Sequence, residues 1–392
     1  MAFTIISKES IVGFLLAFYY LIGRWSLVRL EDTYSNGTII SQPRWWAIAA
    51  LALLAFCLPS PGGLPLSCVR SVARLSLLFF FYMLCTATWA PASISNFDKA
   101  LEVFLLILVT LSLTSFLSTN DAGATVNAFW FSLVGLTVSM AFLSLTNIGD
   151  ERLSVIGGGP NVFGRSMILL FFGVTQLHSR FRFVGISVVV TTFILVTLLV
   201  VLSGSRGAFL SLLSGSFLYF AIQAKNSFAR WLFVCLLVCV GLSLTVQFSN
   251  VGLEAVERFE QRFIATSLID RYTSERDELF ELALQTGLDY PIFGVGLDGF
   301  RLWIWDDYPH NLVLEIWAEG GAIGLALFSI LFSYCAVSIA RFVSVIDLST
   351  LSATISVFVS AQFSGDLYDS RGVFLFLLLT FVFPRHRPVN TT

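Results

Sequence analysis

Arginines at the edges of apolar segments are the first residues in this sequence that could do chemistry. Arg206 follows Gly204 and Ser205 and separates two strongly apolar runs. An arginine in that position is costly unless it pairs, reaches the membrane interface or binds a ligand. The guanidinium group matches phosphate oxygens, and a nearby glycine lets the backbone come close to a ligand. Arg206 therefore predicts an anion site, with an interfacial anchor as the alternative.

Arg276 lies in a charged stretch and indicates the same chemistry. Thr273 or Ser274 is expected to cap a helix that ends at Gly287, so Arg276 falls in the first helical turn. A cation there opposes the helix dipole, whereas a bound anion would satisfy both the arginine and the free N–H groups. The neighbouring acidic residues offer a local ion-pair cluster as the alternative.

His310 and a glycine-rich segment complete the set of candidates. His310 opens an apolar run together with Asn311. A histidine there can act as a general base or donate to an anion, with a structural role as the alternative. Residues 157–159 are three glycines ahead of Asn161 and Arg165. They predict either an amide nest for an anion or a tight turn.

The sequence predicts no metal site and no cofactor. The three histidines are far apart, and no HExxH motif is present. The six cysteines show no CxxC spacing and are expected to pack as small hydrophobic residues. The net charge of -2 gives no indication of nucleic-acid binding.

The composition predicts an all-α integral membrane protein of about 12 transmembrane helices. Of the 392 residues, 56% are hydrophobic and 12% are charged, and the mean hydropathy is +0.84. Soluble domains carry about 25% charged residues, and a helical span needs about 20 mostly apolar residues. Runs of this kind lie near residues 10–28, 44–59, 73–90, 100–118, 127–146, 162–178, 183–203, 206–223, 230–249, 310–340, 349–365 and 370–384.

One long polar connection interrupts this pattern. We expect transmembrane helices 1–9 in residues 1–249, a long extracytoplasmic loop in 250–309 and helices 10–12 in 310–392, all in a single membrane domain. Two short amphipathic helices are expected in the loop, one over about 253–263 and one ending at Gly287. The apolar face of the second is expected to consist of Leu279, Phe280, Ala283 and Leu284. A long loop is usually functional, although a solvated lid without chemistry is the alternative.

Basic residues in the short loops predict the orientation. With a cytoplasmic N-terminus, the inner side carries few acids and these bases: Lys8, Arg70, Arg74, Arg180, Arg182, Lys225, Arg230, Arg341, Arg385 and Arg387. The long loop is then outside, as are Arg165, Arg206, Arg276 and His310. Such a group at one interface suits a pyrophosphate whose lipid tail stays in the bilayer.

Several short motifs follow one another between residues 157 and 330. They are Gly159-Pro160-Asn161, Gly204-Ser205-Arg206-Gly207-Ala208, Arg276-Asp277-Glu278-Leu279-Phe280, Pro291-Ile292-Phe293-Gly294-Val295-Gly296, Pro309-His310-Asn311 and Glu319-Gly320-Gly321-Ala322-Ile323-Gly324-Leu325. Their order, with the long loop between the ninth and tenth spans, resembles the O-antigen ligase family, which includes the related O-antigen polymerases. The family position aligned with Phe280 is often tryptophan, a conservative change.

The resemblance implies a membrane-embedded GT-C type glycosyltransferase that works without a metal. Its donor would be an undecaprenyl-diphosphate-linked glycan, and its active site would face the periplasm from the bacterial inner membrane. Ligases move the glycan to a lipid A core sugar, whereas polymerases move it to another lipid-linked repeat. The loop motifs are more similar to the ligase branch, and direct displacement would invert the anomeric centre.

The resemblance also implies roles for individual residues. Arg206 and Arg276 would bind the diphosphate and stabilise the charge of the leaving group. His310 would deprotonate or orient the acceptor hydroxyl, or contact the diphosphate. The residues that would bind substrate are Arg165, Asn161, Asn311, Glu319 and Arg271, the last of which would replace Arg276 if the register shifts by about one turn.

Two other classes of protein remain as alternatives. A transporter of an anion or a lipid-linked sugar would place ionisable residues within its spans, and Glu315 and Glu319 lie one turn apart in the tenth apolar run. In the transferase these glutamates would instead orient His310 or an arginine. A structural scaffold would leave the arginines and the histidine without a purpose.

Overall fold

The computed structural model describes residues 7–22, 42–57, 67–91, 94–146, 153, 159–181, 184–223, 276–303 and 308–382. Within these ranges the regular structure is α-helical, as the composition predicts. The first eight helices follow the apolar runs: Lys8–Ile22 (α1), Pro43–Cys57 (α2), Ser67–Thr86 (α3), Ile94–Thr119 (α4), Ala122–Thr146 (α5), Pro160–Arg180 (α6), Ile186–Ser203 (α7) and Arg206–Gln223 (α8). The ninth predicted run, 230–249, and the first predicted loop helix lie outside the described residues.

The boundary between α7 and α8 shows how the sequence sets these ends. Gly204 ends α7 in the left-handed conformation, with a φ of 61°, which glycine adopts without steric cost. The Ser205 hydroxyl then accepts the backbone N–H of Ala208 at 3.2 Å and so caps the start of α8. Arg206 is therefore the first residue of a helix.

The second half of the chain begins in the polar loop. Its helices are Arg276–Asp289 (α9), Gly299–Trp303 (α10), Leu312–Phe342 (α11), Leu348–Ser360 (α12) and Arg371–Thr380 (α13). Arg276 is the first described residue of α9, and the predicted caps Thr273 and Ser274 lie outside the described residues. The buried residues of α9 are Ala283, Thr286 and Gly287, whereas Leu284, another member of the predicted apolar face, is 50% exposed.

Five of the described helices are long and apolar enough to cross a membrane, and they lie over 67–86, 96–118, 122–145, 186–203 and 312–342. This supports a multi-pass helical membrane protein. The helices at the expected eleventh and twelfth spans are shorter than predicted. Helix α12 has 13 residues and α13 has 10, fewer than the about 20 that a span requires. The count of twelve spans stays a prediction.

The short helices α12 and α13 are enclosed by the rest of the bundle. Helix α12 packs against α6, α8 and α13, while α13 also contacts α3. All ten residues of α13 are buried. The connection between these two helices, residues 361–370, is therefore held inside the protein, close to the starts of several longer helices.

Candidate active site

The α12–α13 connection, residues 361–370, brings together most of the predicted site residues. The turn is fixed by Gly365, whose φ of +83° is left-handed, and whose Cβ position lies 2.5 Å from the Cβ of Asp369. No other residue type fits there without strain. The Asp366 carboxylate accepts the backbone N–H of Asp369 at 2.9 Å, which stabilises the second half of the turn.

Arg276 and the start of α8 both contact Phe363 in this connection. Nη1 of Arg276 donates to the Phe363 carbonyl oxygen at 2.7 Å. A Cβ at Gly207 would lie 2.6 Å from the Cβ of Phe363, so only glycine lets α8 start so close to this residue. Arg206 immediately precedes Gly207 and is half-buried. The two arginines predicted to bind a diphosphate thus begin helices that contact the same residue.

The start of α6 joins the same group through Asn161. Its side-chain oxygen accepts the Ser205 hydroxyl at 2.6 Å, and its Nδ2 donates to the Ser364 hydroxyl oxygen at 3.2 Å. Arg165 lies one turn further along α6, and its Nη1 is 3.5 Å from the Asp369 carbonyl oxygen. Both predicted substrate-binding residues of α6 therefore contact the connection or the turn before α8.

Asn311 reaches the connection from the start of α11, directly after His310. Nδ2 of Asn311 donates to the Gln362 carbonyl oxygen at 3.3 Å, and its Oδ1 caps α11 by accepting two backbone N–H groups. His310 has a left-handed φ of 53°, unusual for a residue with a side chain. Its ring lies 4.4 Å from that of Tyr308, measured between centroids.

The electrostatic character of this region follows from its geometry. Four helices, α6, α8, α9 and α11, begin at the connection, and each N-terminus carries a partial positive charge. Such ends attract anions and arginines bind them, although the N–H groups of Val313 and Leu314 at the start of α11 are already held by Asn311. The two carboxylates of the connection already have cationic neighbours: Asp366 lies 2.8 Å from Lys99, and Asp369 lies 3.7 Å from Arg371. The arrangement suits an anion with several oxygens.

Glu319 contacts the segment that precedes α10. It is 1% exposed, and its carboxylate accepts the backbone N–H of Asp298. Nearby, the backbone N–H groups of Val295 and Gly296 donate to the carbonyls of Ala318 and Glu319 at 2.9 and 3.0 Å. Glu319 thus holds the loop against α11, and its direct contact with substrate stays a prediction. Arg271 lies outside the described residues.

The contact between residues 291–296 and α11 explains why the motifs 291–296 and 319–325 occur together. Gly321 interrupts α11 with a φ of 59°, and a Cβ there would lie 2.5 Å from the Ile292 carbonyl oxygen. The Ala322 N–H, freed at this kink, donates to the Pro291 carbonyl at 2.8 Å. Residues 291–296 therefore pack into the kink of α11. In this way the loop that carries Arg276 is tied to the helix that carries His310.

Lys99 is the residue that the sequence reasoning missed. Its ammonium group lies 2.8 Å from Oε1 of Glu315 and 2.8 Å from Oδ2 of Asp366. The sequence did contain a signal, because a lysine at the start of a long apolar run needs a partner when it is buried.

The described residues contain no group of three or more His, Cys, Asp or Glu side chains able to hold a metal ion.

Comparison with known protein families identifies a region that contains several of the predicted site residues. Residues 191–329 match the family model described as O-antigen ligase. The match includes Arg206, Arg276, His310, Asn311 and Glu319, whereas Asn161 and Arg165 precede it. It confirms the resemblance that the motifs indicated. No curated protein sequence matches the chain.

Proposed function

We propose that this protein, whose residues 191–329 match the O-antigen ligase family model, transfers a glycan from an undecaprenyl-diphosphate carrier to a sugar hydroxyl. The observation that carries the proposal is the meeting of four helix N-termini and of Arg165 and Arg276 at the α12–α13 connection. A diphosphate has the charge and the oxygens to occupy such a place, while its lipid tail remains in the bilayer.

The proposed reaction is a direct displacement at the anomeric carbon. Arg206 and Arg276 bind the diphosphate and stabilise the negative charge that grows as the bond from the anomeric carbon to the phosphate oxygen breaks. His310 accepts the proton of the acceptor hydroxyl or orients that hydroxyl. The new glycosidic bond forms on the opposite face of the sugar, so the configuration inverts. No metal is needed because the arginines and helix ends supply the positive charge.

The remaining predicted residues have supporting roles in this proposal. Asn161 and Arg165 bind the donor from the start of α6, and Asn311 binds it from the start of α11. Arg271 takes the place of Arg276 if the loop binds substrate in another register. Glu319 acts from its buried position by fixing the loop against α11, in addition to any direct contact with substrate.

The proposed acceptor is a sugar of lipid A core, which would make the protein a ligase. A polymerase that extends a second lipid-linked repeat shares the donor and therefore the same anion site. We place the enzyme in the bacterial inner membrane with about twelve spans and with the site at the periplasmic face. The distribution of basic residues in the short loops supports the side on which the site lies, and the family resemblance supports the inner membrane.

A transporter is the second candidate, and the buried charges of α4 and α11 are the observation that favours it. Transporters commonly place such residues at the substrate or ion path. Here, however, Lys99 holds Glu315 and Asp366 in ion pairs of 2.8 Å. A transporter forms no new covalent bond, so synthesis of a glycosidic bond in detergent separates the two candidates.

The test uses the purified full chain in detergent with an undecaprenyl-diphosphate glycan and two acceptors offered separately. One acceptor is lipid A core and the other is a second lipid-linked repeat, with products identified by mass. Arg276→Ala and His310→Ala are assayed beside the parent, each with and without EDTA. Product on lipid A core that both variants lose and that EDTA leaves unchanged supports the ligase. Extended lipid-linked chains indicate the polymerase, and donor binding without any product indicates the transporter.

A further inference from the structure

A buried ion triad links the two sides of the proposed active site. Nζ of Lys99, on α4, lies 2.8 Å from Oε1 of Glu315 on α11 and 2.8 Å from Oδ2 of Asp366 in the α12–α13 connection. The exposed fractions of the three side chains are 6%, 1% and 5%. Water is therefore excluded, and the lysine is the cation between two carboxylates.

One end of the triad is coupled to His310. Glu315 lies one helical turn after Asn311, and its backbone N–H donates to the Asn311 carbonyl at 2.9 Å. Asn311 is the N-cap of α11 and directly follows His310. The position of Glu315 therefore sets the position of the first turn of α11 and of the histidine in front of it.

The other end is coupled to Arg276. Asp366 lies three residues after Phe363, whose carbonyl oxygen accepts from Nη1 of Arg276. The Leu367 backbone N–H also donates to the Glu315 carboxylate. The α12–α13 connection is thus attached to α11 both through Lys99 and directly. A shift of this connection would move the acceptor that holds Arg276.

Removal of Lys99 would change both ends together. Without the ammonium group, two buried carboxylates face each other with no cation between them, and a buried charge that loses its partner is strongly unfavourable. The two carboxylates would separate, admit water or share a proton, and each of these changes the distance that Lys99 sets. Separation would move α11, together with His310 at its start, away from the α12–α13 connection. The Phe363 carbonyl that holds Arg276 belongs to that connection, so the distance between His310 and Arg276 would change.

We propose that Lys99 is a positioning residue of the transferase, which sets the distance between His310 and Arg276 by holding Glu315 and Asp366 together. Lys99 touches no substrate in this proposal. The inference rests on the proposed function, because it assigns Lys99 a part in aligning the donor diphosphate with the acceptor hydroxyl. A misplacement of about 1 Å at such a site lowers the rate by roughly 100-fold.

The test compares Lys99→Met with Glu102→Gln in the purified full chain. Glu102 lies on the same helix, and its carboxylate accepts a hydrogen bond from Nη1 of Arg44 at 2.9 Å. Glu102→Gln therefore disrupts a buried ion pair that contains neither Glu315 nor Asp366. Rates are measured per folded enzyme, together with the donor KM and the thermal midpoint. A purely structural role would alter the midpoint and the yield while leaving kcat per folded enzyme unchanged.

We expect Lys99→Met to lower kcat at least tenfold relative to Glu102→Gln at a similar thermal midpoint. A smaller fall overturns the proposal. If Lys99→Met does not fold, the neutral triple variant Lys99→Met, Glu315→Gln and Asp366→Asn is assessed by the same criterion. Failure of both variants to fold assigns Lys99 to folding and overturns the positioning role.

A separate measurement distinguishes this inference from the proposed function. If the parent makes no product with either acceptor, the transferase itself is wrong. Binding of undecaprenyl diphosphate is then compared between the parent and the folded Lys99 variant. Affinity that falls at least tenfold supports a role for Lys99 in placing Arg276, whereas equal affinity overturns it.

Discussion

At the scale of single residues, Arg276 combines a structural contact with the proposed catalytic one. One guanidinium nitrogen, Nη1, donates to the Phe363 carbonyl of the α12–α13 connection, the same connection that α6, α8 and α11 contact at their starts. Arginine suits this double task because its fork has five donors, whereas lysine offers a single compact charge. The residue type, and not the charge alone, should therefore matter.

We predict that Arg276→Lys lowers kcat/KM for the donor although the positive charge is kept. Loss of one charge-assisted hydrogen bond costs about 1.5–3 kcal/mol, or roughly 10- to 150-fold in kcat/KM. Steady-state kinetics with the lipid-linked donor measures the effect. Arg341→Lys is the matched control, because Arg341 is exposed at the opposite end of α11. Equal activity of Arg276→Lys and the parent would rule out a role that needs the guanidinium group.

At the scale of elements, the contact between α9 and α11 determines where Arg276 lies. Trp317 of α11 donates its indole N–H to the Leu284 carbonyl at 3.2 Å. Its ring occupies the space beside Gly287, where a Cβ would come within 1.9 Å of the indole nitrogen. Ala283 and Ala318 pack with Phe300 in a small apolar cluster at the same contact. Close approach of α9 thus depends on a glycine within the helix.

We predict that Gly287→Ala displaces α9 and weakens both folding and donor binding. Alanine favours a helix over glycine by about 1 kcal/mol, but forcing a methyl group into a filled space costs about 1–3 kcal/mol. The thermal midpoint and the affinity for undecaprenyl diphosphate measure the two effects. Gly135→Ala, in α5, is the control because no atom lies within 4 Å of its Cβ position. A Gly287→Ala variant that binds as tightly as this control would contradict the expected displacement.

The same elements show what the sequence could and could not predict. Arg206, Arg276 and Asn311 lie at helix starts, and polar residues beside apolar runs mark such starts in the sequence. The α12–α13 connection escaped prediction because hydropathy records composition, so residues 349–365 and 370–384 resembled two spans. Its turn depends on Gly365 and on bonds from distant helices. The partner of Arg276 is a backbone carbonyl, which any residue type supplies, so no motif marks it.

At the scale of the whole molecule, α11 determines which side of the membrane the site faces. After the kink at Gly321, the helical residues 322–342 extend about 31 Å, which matches the about 30 Å of a hydrocarbon core. The helix begins beside His310 at the α12–α13 connection and ends at Phe342, next to Arg341. We therefore expect the two ends to lie on opposite sides of the bilayer. Basic residues favour the cytoplasmic side, so we propose that Arg341 lies inside and the site outside.

We predict that a membrane-impermeant maleimide labels Glu281→Cys in intact cells and labels Arg341→Cys only after the membrane is permeabilised. Both positions are exposed in the structure, so access to the reagent depends on the side of the membrane. The parent, which retains its own six cysteines, sets the background. Labelling of Arg341→Cys alone in intact cells would reverse the orientation. A site on the cytoplasmic face could receive neither the donor nor the lipid A core acceptor from the periplasm. This result would therefore also contradict the proposed acceptor.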